Sequence, residues 1–381
     1  MIYFDNGATS LPKPSVVFRA ASRAATLGNP GRGGHRLALE GAKLLYSVRE
    51  RAALHFEADT PEHICFFSGA TEALCRVIKS LVPRGGRLLF SDMEHNAVRR
   101  PVLALAKRGV AADVFHGYGS KEEILASFKE RLKSSPRLAV FLHTSNVCPQ
   151  TLPVKELCAL CKKEGVLSLV DCAQAGGHLP LSLKDLQADG LVFAGHKGLF
   201  GFQGAGMLVC SQQLKRALEE AETLVEGGSG SLSLEEGMPP FLPERLEAGT
   251  PALPAIASMG AGLAFIERMG YEEIGARLSG LYRLCAEGLR EIRGIELCAP
   301  KASGSGPLLF DASPFENAPL AAALSDQGVY LREGLHCAPL AHQTIGSLDH
   351  GGIRVSFSAF NTPKEVERFL KILQREVRAL A

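Results

Sequence analysis

The sequence predicts an α/β protein in which a large, doubly wound, mostly parallel sheet is joined to a smaller α+β domain. Three observations lead there. Up to about Gly206-Met207-Leu208-Val209-Cys210, short apolar runs alternate with segments of helical periodicity in four strand-then-helix units, the pattern of strands buried on both faces by crossover helices. From about Pro254 that alternation gives way to long helical stretches and then short strands. At 381 residues the chain is also longer than one core usually organises. Residues 15–255 are assigned to the large domain, and 256–381 together with 1–14 to the smaller one.

In order, residues 1–14 are short and proline-marked: Asp5-Asn6-Gly7-Ala8 reads as a turn, and Pro12 and Pro14 block an early helix. Asn29-Pro30-Gly31-Arg32-Gly33-Gly34-His35 is too rich in glycine to be regular, and a helical pattern runs from Ala38 to about Phe56. Ile64-Cys65-Phe66-Phe67 is a strand leading through Ser68-Gly69-Ala70-Thr71 into a helix with Leu74, Val77, Ile78 and Leu81 on one face. Such a turn offers backbone N–H groups and a positive helix end to a phosphate, although plain N-capping by Ser68 or Thr71 accounts for the same residues. Strands at Arg87–Ser91 and Leu138–Leu142 end in Asp92-Met93-Glu94-His95-Asn96 and His143-Thr144-Ser145-Asn146-Val147. Cys158 and Cys161 fall in a helical segment and read as small apolar residues on its buried face; no second pair completes a zinc site, and no metal is expected. Gly227-Gly228-Ser229-Gly230-Ser231 has the composition of a flexible linker or mobile loop. A helix-like stretch then runs through Tyr271, a helix over 276–292, strands at Leu308–Asp311, 328–332 and 352–357, and a closing helix Pro363–Leu380 with Val366, Phe369, Leu370 and Leu373 on its apolar face.

A formal charge of +2 with no basic tract at either end leaves no electrostatic footprint for nucleic acid. The N-terminus lacks the basic and apolar regions of a signal peptide, and no run is apolar over the length of a membrane span, so a cytoplasmic protein away from membranes is expected. The ten cysteines are scattered through segments that read as strands and helices, and reduced thiols are expected.

The most informative stretch is 166–204. The apolar run 166–170 ends in Asp171, and Gly190–Ala194 is followed by Gly195-His196-Lys197-Gly198, then Gly201 and Gly204. Ligands of open α/β sheets collect at the carboxyl ends of strands, and this glycine density suits a backbone pressed against a ligand. An aspartate that holds a pyridinium nitrogen and a lysine that forms a Schiff base are the two groups a pyridoxal phosphate (PLP) site requires. Singly, each has a plainer reading: a solvated turn for the lysine, a helix cap for the aspartate.

Together, Asp171-Cys172-Ala173-Gln174 and Gly195-His196-Lys197 resemble the core of the class V aminotransferase family, and Arg332-Glu333-Gly334-Leu335-His336-Cys337-Ala338 is similar to the active-site loop of its group II cysteine desulfurases and selenocysteine lyases. The resemblance covers nearly the whole chain and implies PLP fold type I. It implies that Lys197 carries PLP and moves the Cα proton, that Asp171 protonates the ring, that His95 stacks on the ring and shuttles protons with Ala173 on its other face, and that Gln174 and Asn146 reach its oxygen. Thr71 and His196 would hold the phosphate, and Arg354, with Arg332 and Asn146 nearby, the substrate carboxylate. Thr250, in Arg245-Leu246-Glu247-Ala248-Gly249-Thr250-Pro251, would reach the phosphate of a neighbouring subunit, which implies a homodimer. Two departures from the family are Ala194, where relatives carry a hydroxyl, and Cys148-Pro149-Gln150, where a glycine is usual.

Cys337 decides the implied reaction. Gly334 and Pro339 bracket it in a short loop expected to be exposed, with His336 and Arg332 expected to favour its thiolate. As in the resembling enzymes, Cys337 would take sulfur from L-cysteine as a persulfide, leaving L-alanine, for transfer to a protein sulfur acceptor of the kind that serves iron-sulfur cluster assembly. Selenocysteine lyase, or another class V reaction such as transamination or β-elimination in which Cys337 is idle, is the alternative, and a non-enzymatic scaffold or sulfur carrier a further one.

Overall fold

Strands four or five residues long and buried on both faces form where the sequence has unbroken apolar runs, because helices cover the sheet from either side. The structure, a computed structural model, describes residues 1–31, 33–302, 304, 306–313 and 315–380; Arg32 of the glycine-rich loop and the final Ala381 lie outside the described residues.

The chain opens with β1 (Ile2–Tyr3) and α1 (Ser15–Ala24), a helix beginning directly after Pro14 that the sequence reading did not assign. The helical pattern beyond the glycine-rich loop becomes α2 (Arg36–His55). Then come β2 (Ile64–Phe67), α3 (Ala70–Leu81), β3 (Arg87–Ser91), α4 (Asn96–Ala106), β4 (Ala111–Phe115), α5 (Lys121–Leu132), β5 (Leu138–Leu142), α6 (Val154–Lys163), β6 (Leu167–Asp171), the single turn α7 (Leu183–Leu186), β7 (Gly190–Ala194), β8 (Gly206–Cys210) and α8 (Gln212–Glu220). The later part holds α9 (Leu253–Met269), α10 (Tyr271–Arg290), β9 (Glu296–Leu297), β10 (Leu308–Asp311), α11 (Asn317–Asp326), β11 (Val329–Tyr330), β12 (Arg332–Glu333), α12 (Pro339–Ile345), β13 (Ile353–Val355) and α13 (Pro363–Leu380).

The main sheet has seven strands in the order β2-β8-β7-β6-β5-β3-β4. Its strands are parallel from β7 to β4, and only β8 runs against its neighbours β7 and β2. From β3 the chain steps outward to β4 and then returns to the other side as β5, so the order reverses between β3 and β5. A crevice opens at the carboxyl ends of strands at such a switch point. The segments leaving β3 and β5 carry His95 and Asn146. β4 is one of the two edge strands, and its Ala-Ala-Asp-Val-Phe sequence is only partly covered, which is why no continuous apolar run announces it.

The single strand expected at 328–332 is divided. Val329–Tyr330 pairs in parallel with β1, whereas Arg332–Glu333 pairs with β13 in an antiparallel sheet ordered β12-β13-β10-β9. The N-terminal segment is drawn into this region: Phe4 packs edge-on against Phe357 and Phe369 at 4.8 and 5.6 Å, and its carbonyl accepts from the Ser356 N–H. α9 lies on α1 and α2, while α10 packs on α13. Among the described residues no helix is long and apolar enough to cross a membrane.

Candidate active site

The strand ends at the switch point, the start of α3, the turn at residues 5–8 and the loop 332–337 enclose a cavity of about 420 Å³, within the range of small-molecule sites. Thr71, His95, Asn146, Asp171, Gln174, His196, Lys197, Arg332, Cys337 and Arg354 all line it. Thr250 does not: it is exposed, 3.4 Å from Asn29 Nδ2, beside a smaller cavity of about 180 Å³.

Asp171 ends β6 buried, its Oδ1 accepting from the Ala173 N–H at 2.9 Å. Burial raises its pKa, opposed by that hydrogen bond and by Lys197. Lys197 keeps some surface open to the cavity, yet protein encloses it closely enough that burial brings its amine down to about 8 against the pull of Asp171, with Arg354 and Arg332 adding repulsion. An amine so placed is neutral in an appreciable fraction near physiological pH, the form that attacks carbonyl carbon.

Gly204 lines the cavity, as the sequence suggested, but Gly198 and Gly201 have a different cause. A Cβ on Gly198 would sit 2.1 Å from the Gly176 carbonyl oxygen, and one on Gly201 would meet the Met259 backbone of α9 at 2.9 Å. They admit neighbouring chain, and so set the lysine loop against the body of the protein. Residues that the sequence reading passed over fasten the same loop: the His196 carbonyl accepts from Ser10 N–H (3.0 Å), Thr9 Oγ1 (3.1 Å), Ser10 Oγ (3.2 Å) and Lys13 Nζ (3.2 Å). Burial lowers Lys13 to about 8. In sequence these residues show only a proline-marked turn.

His95 caps α4, its Nδ1 accepting from the Ala97 N–H at 3.0 Å. A backbone N–H can only donate, so Nδ1 is unprotonated and the neutral ring carries its proton on Nε2. Burial first, then Lys197, Arg332, Arg354 and Arg100, push its pKa down to about 4. Beneath it Glu94 is fully buried, with Oε1 accepting from the Leu142 N–H (2.8 Å) and from Ser91 Oγ and Oε2 unpartnered. Burial raises Glu94 to about 8, with Asp171 and Asp92 adding to the rise while its hydrogen bonds oppose it. Between the ordinary range near 4.5 and about 8 the folded chain therefore holds a proton that the unfolded chain has released, and stability falls as pH rises through that window. Glu94→Gln should remove this dependence: its stability relative to wild type, measured by urea unfolding, should rise from pH 5 to pH 8 by at least about 1 kcal/mol, the equivalent of one pKa unit. A difference flat in pH would mean that Glu94 is ionised in the fold.

No side chain caps α3. The Ser68 N–H and Oγ both bond to the Glu72 carboxylate at 2.8 and 2.6 Å, so the capping explanation of Ser68 and Thr71 gives way to a helix start open to the cavity. His196 Nδ1 and Asn146 Oδ1, both buried on the cavity wall, have no partner among the described residues. The other side of Asn146 is used, its Nδ2 donating to the His336 carbonyl at 2.7 Å. Free N–H groups, an unpartnered imidazole nitrogen and an amide oxygen around Asp171 and Lys197 fit an anionic group at one end and a planar heteroaromatic ring at the other.

Arg354 is 2% exposed, with Nη1 donating to the Asn146 carbonyl (2.9 Å) and Nη2 to Asp5 (2.7 Å) while Nε stays unpartnered. Asp5, read in sequence as part of a turn, is its charge partner. Cys337 is exposed at the cavity rim, 4.0 Å from Arg332 Nη2. His336 does not supply the positive charge expected of it: it is buried, and burial with Arg354 holds its pKa at about 3, so its ring is neutral. Of the other cysteines, Cys148 and Cys172 are fully enclosed, burial raising both thiols, and all ten are free.

The sequence profile named Aminotransferase class-V matches residues 2–369. A probable cysteine desulfurase of Pyrococcus abyssi is 31% identical over 390 residues, covering 100% of this chain and 95% of its own. A cysteine desulfurase of Escherichia coli (strain K12 / DH10B) is 31% identical over 396 residues, covering 100% and 94%. Among solved structures, the apo cysteine desulfurase of Thermococcus onnurineus NA1 superposes with a TM-score of 0.91 at 31% identity, covering 99% of this chain and 95% of that one.

Proposed function

Since the chain belongs to the class V aminotransferase family, we propose that it is a PLP-dependent cysteine desulfurase that converts L-cysteine to L-alanine and keeps the sulfur as a persulfide on Cys337. The observation that carries this reading is the exposed Cys337 thiol on the wall of the cavity that holds Asp171 and Lys197. Bound PLP supplies an electron sink that makes the Cα proton of an attached amino acid acidic. Asp171 would hold the ring nitrogen, Gln174 and Asn146 the ring oxygen, and Thr71, His196 and the open start of α3 the phosphate, with Lys197 carrying the group. Lys197 takes and returns the Cα proton, Arg354 binds the carboxylate, and His95 shuttles a proton through Nε2. Cys337 attacks the substrate sulfur: an S–S bond forms, the substrate C–S bond breaks, and a proton replaces sulfur on the carbon. Cysteine and one thiol become alanine and one persulfide, with no outside oxidant or reductant.

Three further parts belong to this reading. The enzyme works as a homodimer, Thr250 reaching the phosphate site of a second copy, which suits its exposure and its absence from the lining of the main cavity. A protein acceptor removes the sulfur, and the cytoplasm, where free thiols stay reduced, is the fitting compartment. Selenocysteine would be cleaved at the same site.

Product analysis tests the proposal. Purified protein given cysteine should form alanine and one persulfide per chain, mapped by mass spectrometry to Cys337. Pyruvate and sulfide in place of alanine would make it a β-lyase instead. Asp5→Asn, which removes the charge partner of Arg354, should raise KM for cysteine about five- to thirtyfold, the equivalent of ~1–2 kcal/mol for a charge-assisted hydrogen bond, with a smaller change in kcat. An unchanged KM would show that Arg354 does not bind the carboxylate.

A further inference from the structure

The loop that presents Cys337 has an unusual backbone. His336 and Cys337 are consecutive non-glycine residues with φ of +51° and +56°, in the left-handed region that L-residues rarely occupy. Such a conformation persists only where its surroundings over-determine it. Three contacts hold the main chain: the His336 carbonyl accepts from Asn146 Nδ2 (2.7 Å), the Cys337 carbonyl from the Asn96 N–H (2.8 Å), and the Leu335 carbonyl from the Ala338 N–H (2.9 Å).

A second set acts through side chains. His336 turns inward as Cys337 turns outward, and its Nε2 lies 3.2 Å from the Arg332 carbonyl. That oxygen can only accept, so Nε2 carries the proton and Nδ1 of the neutral ring must accept. His342 Nε2 lies 3.2 Å from that Nδ1 and must donate, leaving His342 Nδ1 to accept from Ser347 Oγ at 2.7 Å. The rings are nearly parallel, 15° apart, and both are buried. Burial keeps both rings neutral. The chain of bonds runs from Ser347, beyond the end of α12, across His342 to the carbonyl of the arginine whose guanidinium stands 4.0 Å from the Cys337 sulfur.

We infer that His336, His342 and Ser347 form a brace that holds the Cys337 loop in its left-handed turn and thereby sets where the thiol meets substrate sulfur. They are positioning residues; none needs to touch substrate. The catalytic consequence rests on the desulfurase reading above, whereas the effect on the loop does not. Two core histidines satisfied by chance would influence stability alone.

The test uses the PLP-loaded enzyme and its His342→Phe, Ser347→Ala and Ser347→Thr variants. In His342→Phe, amide hydrogen exchange over residues 335–338 should accelerate about tenfold or more, since a buried bond in the brace is lost. Single-turnover alanine formation should fall on the order of ten- to a hundredfold, as misplacement of a reacting group does. The cysteine concentration that half-saturates the cofactor absorbance change should stay within about twofold, because carboxylate binding belongs to Arg354. Ser347→Ala should move exchange and turnover in the same direction by less, and Ser347→Thr should restore both. Unchanged loop exchange in His342→Phe and Ser347→Ala overturns the brace, as does a loss of turnover matched by loss of cysteine binding. If His342→Phe does not fold, the two Ser347 variants decide by the same readouts. If wild type makes no alanine, the desulfurase reading fails by itself, and loop exchange still decides the brace.

Discussion

Cys337→Ala should abolish alanine formation from cysteine while leaving the cofactor bound and still responsive to cysteine. Cleaving the C–S bond by the proposed route needs a nucleophile for sulfur, whereas the binding proposed for Arg354 and the proton removal proposed for Lys197 do not. The expected loss is at least about a thousandfold, typical of removing an essential nucleophile. Cys148 and Cys172 cannot stand in: both are closed off from solvent, and burial favours their unreactive protonated forms. Selenocysteine, with its weaker bond and better leaving group, should still be cleaved slowly by the variant. An undiminished rate of alanine formation would make Cys337 a bystander and move the protein to another reaction of its family.

Lys197→Ala should eliminate turnover of both amino acids, by about a thousandfold or more, since in the proposed reaction the residue is both attachment point and base. Borohydride reduction followed by peptide mapping should place the cofactor on Lys197 in wild type. The informative competitor is Lys13, also lowered to about 8 by burial, but its Nζ is committed to Ser10 Oγ at 2.9 Å and the His196 carbonyl at 3.2 Å. Cofactor found on Lys13 would overturn the assignment. Because only the neutral amine attacks, the rate at which apo-protein takes up PLP should rise with pH and level off above about 8, where Lys197 has lost its proton. A rate still rising steeply at pH 10 would mean that its burial does not lower its pKa.

Much of this was legible in the sequence because it is local. Runs such as Leu-Ala-Val-Phe-Leu at β5 are long enough for a strand and too uniformly apolar for an exposed one, so they announce a sheet covered on both faces. Asp171 and Lys197 stand directly after two such runs, where a parallel sheet exposes strand ends to ligand. The closing helix is readable from its apolar stripe, with Val366, Phe369 and Leu373 buried as their spacing requires. The cysteine loop could be picked out by its pattern, but not its conformation.

Tertiary structure alone decided what depends on residues far apart in the chain. Arg354 is held by Asp5, 349 positions away, and nothing near either residue announces the pair. The strand expected at 328–332 is divided because its halves find different partners, one in β1 and one in β13. His336, expected to lend charge to Cys337, is instead buried against His342 and kept neutral, since a side chain's direction from a left-handed residue follows from the backbone around it and not from neighbouring letters. Periodicity and turn chemistry act over a few residues and so are written locally. Burial, charge pairing and the close approach of Gly198 to Gly176 exist only once distant segments are packed together.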